Sequence, residues 1–168
     1  MSEMKLPIEL KNVDIDKLEL IASVLHKVLP RQIIIGLRGT LGAGKTRFVQ
    51  AFAVAAGIEQ SLVTSPTFPI VQHYHGERLI HHIDAYRLAD EDEFIELGGE
   101  ELLEEDATVL IEWPDRIAGC LPNDRITLDL SVDESDPNRR GLQIRCEDPK
   151  LRAILEHAIN THFVSEAN

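Results

Sequence analysis

Eight consecutive residues, Gly39-Thr40-Leu41-Gly42-Ala43-Gly44-Lys45-Thr46, fit the pattern G-x-x-x-x-G-K-[ST] at every position. A polyphosphate is large and multiply charged, so it needs hydrogen-bond donors from several directions. A loop that wraps it points successive backbone N–H groups inward, and glycine permits the close approach and the dihedral angles this requires. The helix that follows such a loop adds the positive end of its dipole. Lys45 then reaches the outer phosphates and the Thr46 hydroxyl is placed to ligate a divalent cation. The chemistry implied is binding of a nucleoside triphosphate, ATP with Mg²⁺.

Such a site needs a carboxylate at the end of a neighbouring strand, to hold the cation directly or through water. Two acids qualify. Glu112 ends the apolar run Val109-Leu110-Ile111, and Asp84 ends Leu79–Ile83. Glu112 is assigned to the metal and Asp84 to the attacking water or its hydrogen-bond network, with exchanged roles as the alternative. Ser65-Pro66-Thr67-Phe68 is a turn with two hydroxyls, and Thr67 or Ser65 is a candidate to reach the terminal phosphate. His73, His75, His81 and His82 cluster in sequence, but without the cysteines or the spacing of a zinc motif. Trp113, the only tryptophan, follows Glu112 directly. It is a core residue by default and a lining residue of the site mouth otherwise.

The elements that must position these residues follow from periodicity. Ile15, Leu18, Ile21, Ala22, Leu25, Val28 and Leu29 have the spacing of an amphipathic helix, capped by Asp14 and stopped by Pro30. Gln32–Leu37 reads as a strand buried on both faces, and Lys45–Ala56 as a helix ended by Gly57. Ile70–Tyr74 and Leu79–Asp84 read as strands joined by a turn through Gly76, and Thr108–Glu112 as a second central strand. Asp90–Glu105 reads as helical, interrupted at Gly98-Gly99. Ile126–Val132 and Leu142–Cys146 alternate with period two, which predicts an antiparallel pair with one wet face. A last helix is expected from Lys150 to about Val164. The expected fold is α/β: a P-loop NTPase-like three-layer sandwich whose mainly parallel sheet carries an antiparallel edge extension, formed by residues 1–168 as a single domain.

With 168 residues, 43% of them apolar, the chain can bury a real core. No run approaches the length of a membrane span and the N-terminal residues lack a secretory pattern, so a cytoplasmic protein is expected. Cys120 and Cys146 lie in different segments and are read as buried thiols. The net charge is −12, and Asp90–Asp106 holds ten acids and no lysine or arginine. A protein that grips DNA or RNA unaided needs a basic surface, so any nucleic-acid substrate must be held by something else. The acidic run is a solvated face or a docking surface for a basic partner; the sequence leaves both open.

Four blocks together resemble the TsaE (YjeE) family: the phosphate loop, Ser65-Pro66-Thr67-Phe68, His82-Ile83-Asp84-Ala85-Tyr86-Arg87-Leu88 and Ile111-Glu112-Trp113-Pro114. The first is shared with all P-loop proteins; the other three are specific in combination, and their order and spacing match over nearly the whole chain. These are bacterial ATPases needed to make threonylcarbamoyladenosine in tRNA. The resemblance implies a partner of the TsaD–TsaB pair that touches tRNA only indirectly and whose ATP hydrolysis resets that complex. It also implies roles: Lys45 and Thr46 on phosphate and Mg²⁺, Glu112 as the metal acid, Asp84 as an acid needed for activity, Trp113 as the tryptophan after the metal acid, and Asp115 and Asp14 near the nucleotide. Two departures from the family pattern stand out: Ile83 and Ala85 flank Asp84, where the family often has an aromatic and a leucine, and Leu18 stands where it often has a threonine early in the first helix, which bears on the adenine contacts. A small-molecule or nucleoside kinase is the competing reading. Such enzymes carry an arginine-bearing lid, and no arginine-rich insertion separates the strands here. The guanine-reading N-K-x-D pattern of GTPases is absent.

Overall fold

A computed structural model of the chain describes residues 5–64 and 70–164. Seven strands form one sheet: β1 (Ile8–Val13), β2 (Ile33–Arg38), β3 (Val71–His75), β4 (Leu79–Asp84), β5 (Thr108–Glu112), β6 (Ile126–Val132) and β7 (Arg140–Cys146), in the order β1-β7-β6-β2-β5-β4-β3. The four central strands β6, β2, β5 and β4 run parallel. The antiparallel additions lie at both edges: β7 and β1 on one side, β3 on the other. Five α-helices accompany the sheet: α1 (Ile15–Val28), α2 (Lys45–Ala55), α3 (Glu91–Glu96), α4 (Gly99–Glu104) and α5 (Pro149–Ile159).

Period-two alternation sorts the central strands into two cores. Ile35 and Leu37 of β2, Leu110 of β5 and Ile80 of β4 face α1 and α2, where Phe48, Phe52, Ile21 and Leu25 are fully buried. Val109, Ile111 and Ile83 face the opposite side and pack on Phe94, Leu88, Ile117 and Leu121. Helices cover both faces only over β2, β5 and β4. On β6 and β7, Ile126, Leu128, Leu142 and Ile144 join the first core, while Thr127, Asp129, Gln143 and Arg145 form an open polar face, as their alternation requires.

Local signals explain most of the element ends. Asp14 caps α1 by accepting from the Lys17 amide at 2.9 Å. The acidic run forms two short helices, α3 capped by Asp90 and α4 beginning beyond Gly98, whose φ of 76° ends the first turn. Of this run only Phe94 and Gly99 are buried. The last helix continues past Ile159 as a single wider turn, Asn160–Val164. β1 is the element that the periodicity reading missed. It alternates Ile8 and Leu10 with Glu9 and Lys11, but only three of its pairings with β7 are regular before a shift between Leu10 and Val13 at Asn12, whose φ is 53°. Cys146 is buried and Cys120 only half-buried, so the second thiol departs from the buried reading; both are free. No helix among the described residues is long and apolar enough to cross a membrane.

Phe52 has no exposed surface, and the Phe48 ring and Arg78 guanidinium both lie against it. Phe52→Ala is expected to lower unfolding stability by about 3–5 kcal/mol, read by urea titration.

Candidate nucleotide and metal site

The phosphate loop joins the end of β2 to α2 at the carboxyl edge of the parallel strands, where open α/β sheets bind ligands. All three of its glycines have a positive φ: 150° at Gly39, 80° at Gly42 and 109° at Gly44. A side chain at Gly39, φ 150°, would place a Cβ 2.5 Å from the Leu130 carbonyl oxygen and 2.9 Å from Ala43 Cβ. Gly44 caps α2 in the left-handed region, φ 109°, so that the helix begins at Lys45 with its amides facing the loop.

Lys45 is buried, and its ammonium donates to the carbonyls of Gly39 at 2.7 Å and Thr40 at 2.9 Å. The Trp113 ring lies over it, with 4.1 Å from Nζ to the ring centroid. Burial pulls the Lys45 pKa down, while Glu112 and Asp84 oppose that shift. Trp113 itself adopts a left-handed backbone, φ 60° and ψ 52°, which is costly for a bulky residue and clusters at functional sites. The Tyr86 ring lies tilted against it, 5.1 Å between centroids, and is 54% exposed.

Glu112 and Asp84 are register partners on β5 and β4, and both side chains fall on the α2 face. The Thr46 hydroxyl donates to Glu112 Oε1 at 2.7 Å. His82, two residues before Asp84, contacts the other Glu112 oxygen through Nε2 at 3.1 Å. Behind it, the Tyr74 hydroxyl lies 3.2 Å from His82 Nδ1 and donates to Gln72 Oε1. Burial, reinforced by Glu112, pushes the Tyr74 phenol up to about 12, so it stays protonated. Asp84 accepts from the Tyr86 amide at 3.1 Å. Burial raises its pKa most, Glu112 adds to that, and the Tyr86 bond opposes it.

A cavity of ≈ 350 Å³ brings together Leu41, Gly42, Gly44, Lys45, Thr46, Asp84, Glu112 and Trp113. Leu41 is 90% exposed at the loop tip. A second cavity of ≈ 270 Å³ lies on the other flank of the loop, between Asp14, Leu18, Ala43 and Asn138. Asp14 faces this one and pairs with Arg139 at 2.9 Å. Asp115 stands apart from both, paired with Arg38 at 3.0 Å. Thr67 and Ser65 lie outside the described residues.

Sequence reasoning missed two components. Arg140, at the start of β7, donates from Nε to the Ala43 carbonyl at 2.9 Å and from a terminal nitrogen to Gly42 at 3.3 Å. Nothing in the sequence marks it, since it lies nearly a hundred residues from the loop. The His82–Tyr74 contact had a signal in the two-residue offset from Asp84, which puts both residues on one strand face. The remaining histidines divide: His73 and His81 meet through their Nδ1 atoms at 2.7 Å, and His81 Nε2 contacts Glu105 at 2.8 Å. Among the described residues no three His, Cys, Asp or Glu side chains converge as a metal cage. Mg²⁺ needs none, because it keeps waters and phosphate oxygens and takes only one or two protein oxygens. The Thr46 hydroxyl and Glu112 carboxylate are hard oxygen donors of that kind.

Charging Asp84 opposes folding, because its folded-state pKa is raised. That penalty is absent below the ordinary value of 3.8 and grows as pH rises through the shifted value. Asp84→Asn keeps an oxygen for the Tyr86 amide. It is expected to raise the melting temperature at neutral pH, with the gain disappearing as pH falls below 3.8, measured by calorimetry across pH.

The family model for TsaE, threonylcarbamoyl adenosine biosynthesis protein, matches residues 13–141. The chain is 38% identical over 117 residues to the tRNA threonylcarbamoyladenosine biosynthesis protein TsaE of Treponema pallidum, covering 70% of this chain and 85% of that protein. It is 36% identical over 126 residues to the TsaE protein of Aquifex aeolicus, covering 74% and 85%. A crystal structure of YdiB from Bacillus subtilis superposes with a TM-score of 0.74 at 24% identity, over 95% of this chain and 99% of that one, and so has the same fold. With its phosphate loop, strand-end acids and tryptophan assembled at one sheet edge, the chain belongs to the TsaE family.

Proposed function

We propose that the chain binds and hydrolyses Mg–ATP at Gly39–Thr46, and that it does so in the cytoplasm as the ATPase of tRNA threonylcarbamoyladenosine formation, working on the TsaD–TsaB pair. The observation that carries this reading is the 2.7 Å link from Thr46 to Glu112, which joins the end of the phosphate loop to the strand-end acids. The names of the relatives supply the pathway.

In this reading the loop amides and the start of α2 hold the phosphates. The Lys45 ammonium, gathered over the loop by Gly39, Thr40 and Trp113, would turn from those carbonyls to the outer phosphates. The chemistry Mg²⁺ would supply there is positive charge beside the phosphates. Thr46 and Glu112 would hold it, Glu112 directly or through water. Asp84 lines the same cavity beside Glu112 and has a raised pKa, so it is suited to orient a water and accept its proton. The apolar walls of the second cavity, Val13, Ile15 and Leu18, offer a flank for the adenine. The net charge of −12 argues against tRNA binding by this chain alone, so partners would present the tRNA.

Lys45→Ala is expected to remove ATP binding measurable by calorimetry; unchanged affinity refutes the loop assignment. With TsaD and TsaB added, the chain is expected to co-elute on size exclusion and to release phosphate faster. Absence of both co-elution and stimulation withdraws the partner assignment in favour of a kinase.

A further inference from the structure

Glu112 is 3% exposed and His82 has no exposed surface. They form a chain of contacts that ends at the phosphate loop: Gln72, Tyr74, His82, Glu112, Thr46. A carboxylate only accepts, so His82 Nε2 must carry the hydrogen that it shares with Glu112 Oε2. The opposite oxygen accepts from Thr46. A glutamate side chain has three rotatable torsions, and two donors on its two oxygens fix both its reach and the plane of its carboxylate. The Tyr74 hydroxyl, on the neighbouring strand at the register position that faces Ile80, lies 3.2 Å from the other ring nitrogen, Nδ1.

We propose that His82 is a positioning residue for the divalent cation: it pins the outer oxygen of Glu112, with Tyr74 behind it, so that the inner oxygen stays on the Thr46 hydroxyl where the cation of Mg–ATP is held. This rests on the Mg–ATP reading above and deepens it. The principle is the one by which groups behind metal ligands orient them, and loss of such a group typically weakens metal affinity about 10–100-fold.

The test separates a donor from a space-filler. His82→Gln can present an amide N–H near the position of Nε2, whereas His82→Leu fills the space without one. Mn²⁺ binding in the presence of ADP, followed by electron paramagnetic resonance, reads the cation directly; nucleotide affinity in EDTA reads the loop without it. His82→Leu is expected to weaken Mn²⁺ by about 10–100-fold, to leave the EDTA affinity unchanged, and to be largely rescued in His82→Gln. Wild-type Mn²⁺ affinity in His82→Leu overturns the proposal, and so does equal loss in both variants, which would make packing the cause. Should His82→Leu fail to fold, Tyr74→Phe removes only a hydroxyl and carries the same comparison: weaker Mn²⁺ binding is expected, and unchanged binding overturns the role of the chain of contacts. A wild-type protein that binds no nucleotide in EDTA or with Mn²⁺ would instead show that the Mg–ATP reading itself has failed.

Discussion

A loop that turns its amides toward one anion must turn its carbonyls away from it, and those carbonyls then need donors of their own. Four of them find cations here. Lys45 takes Gly39 and Thr40, and Arg140 takes Gly42 and Ala43. The second of these comes from the start of β7, which pairs with β6 and so brings a guanidinium from distant sequence against the loop. Charge-assisted bonds of this kind are among the stronger ones in proteins, and they fix the loop in a shape that a glycine-rich segment would not keep by itself.

The acids obey a different constraint. Period two places Ile80, His82 and Asp84 on one face of β4, and Leu110 and Glu112 on the same face of β5. The apolar members of each set belong to the core against α1 and α2. The polar members lie farther along the same strands, where the sheet edge meets the loop. A single alternation thus supplies both a packed interior and a row of titratable groups, and the transition between them marks the boundary of the site.

Much of this was legible in the sequence. The phosphate loop, the strand ending at Glu112 and the helix starting at Lys45 are local patterns, readable because each residue's role depends on its near neighbours. Asp84 and Glu112 were readable as strand-end acids for the same reason, and Asp14 as a cap. What was not legible is what depends on distant partners: β1, which is short, irregular and paired only with β7 among the described strands; Arg140, whose targets lie nearly a hundred residues away; and the placement of antiparallel strands at both edges, since strand order is not encoded in any one segment. The histidines show the limit most sharply. Four of one type in ten residues look alike on paper, yet His81 faces Glu105 while His82 faces Glu112. One residue of offset sends them to opposite sides of the sheet.

The two apolar cores lie on opposite faces of the central strands, and the chain leaves the sheet for the second layer directly after each acid. Immediately after Asp84 comes the turn Ala85–Arg87, and immediately after Glu112 and Trp113 comes the turn Pro114–Cys120; both lead into the layer that carries the acidic helices. Ala85 and Ile117 anchor those turns in the second core. The two acids thus sit at the joints between layers, like rivets through two plates. The layer of acidic helices and the two carboxylates are thus joined by very short stretches of chain: Asp84 directly precedes Ala85–Arg87, and Trp113 alone separates Glu112 from Pro114–Cys120.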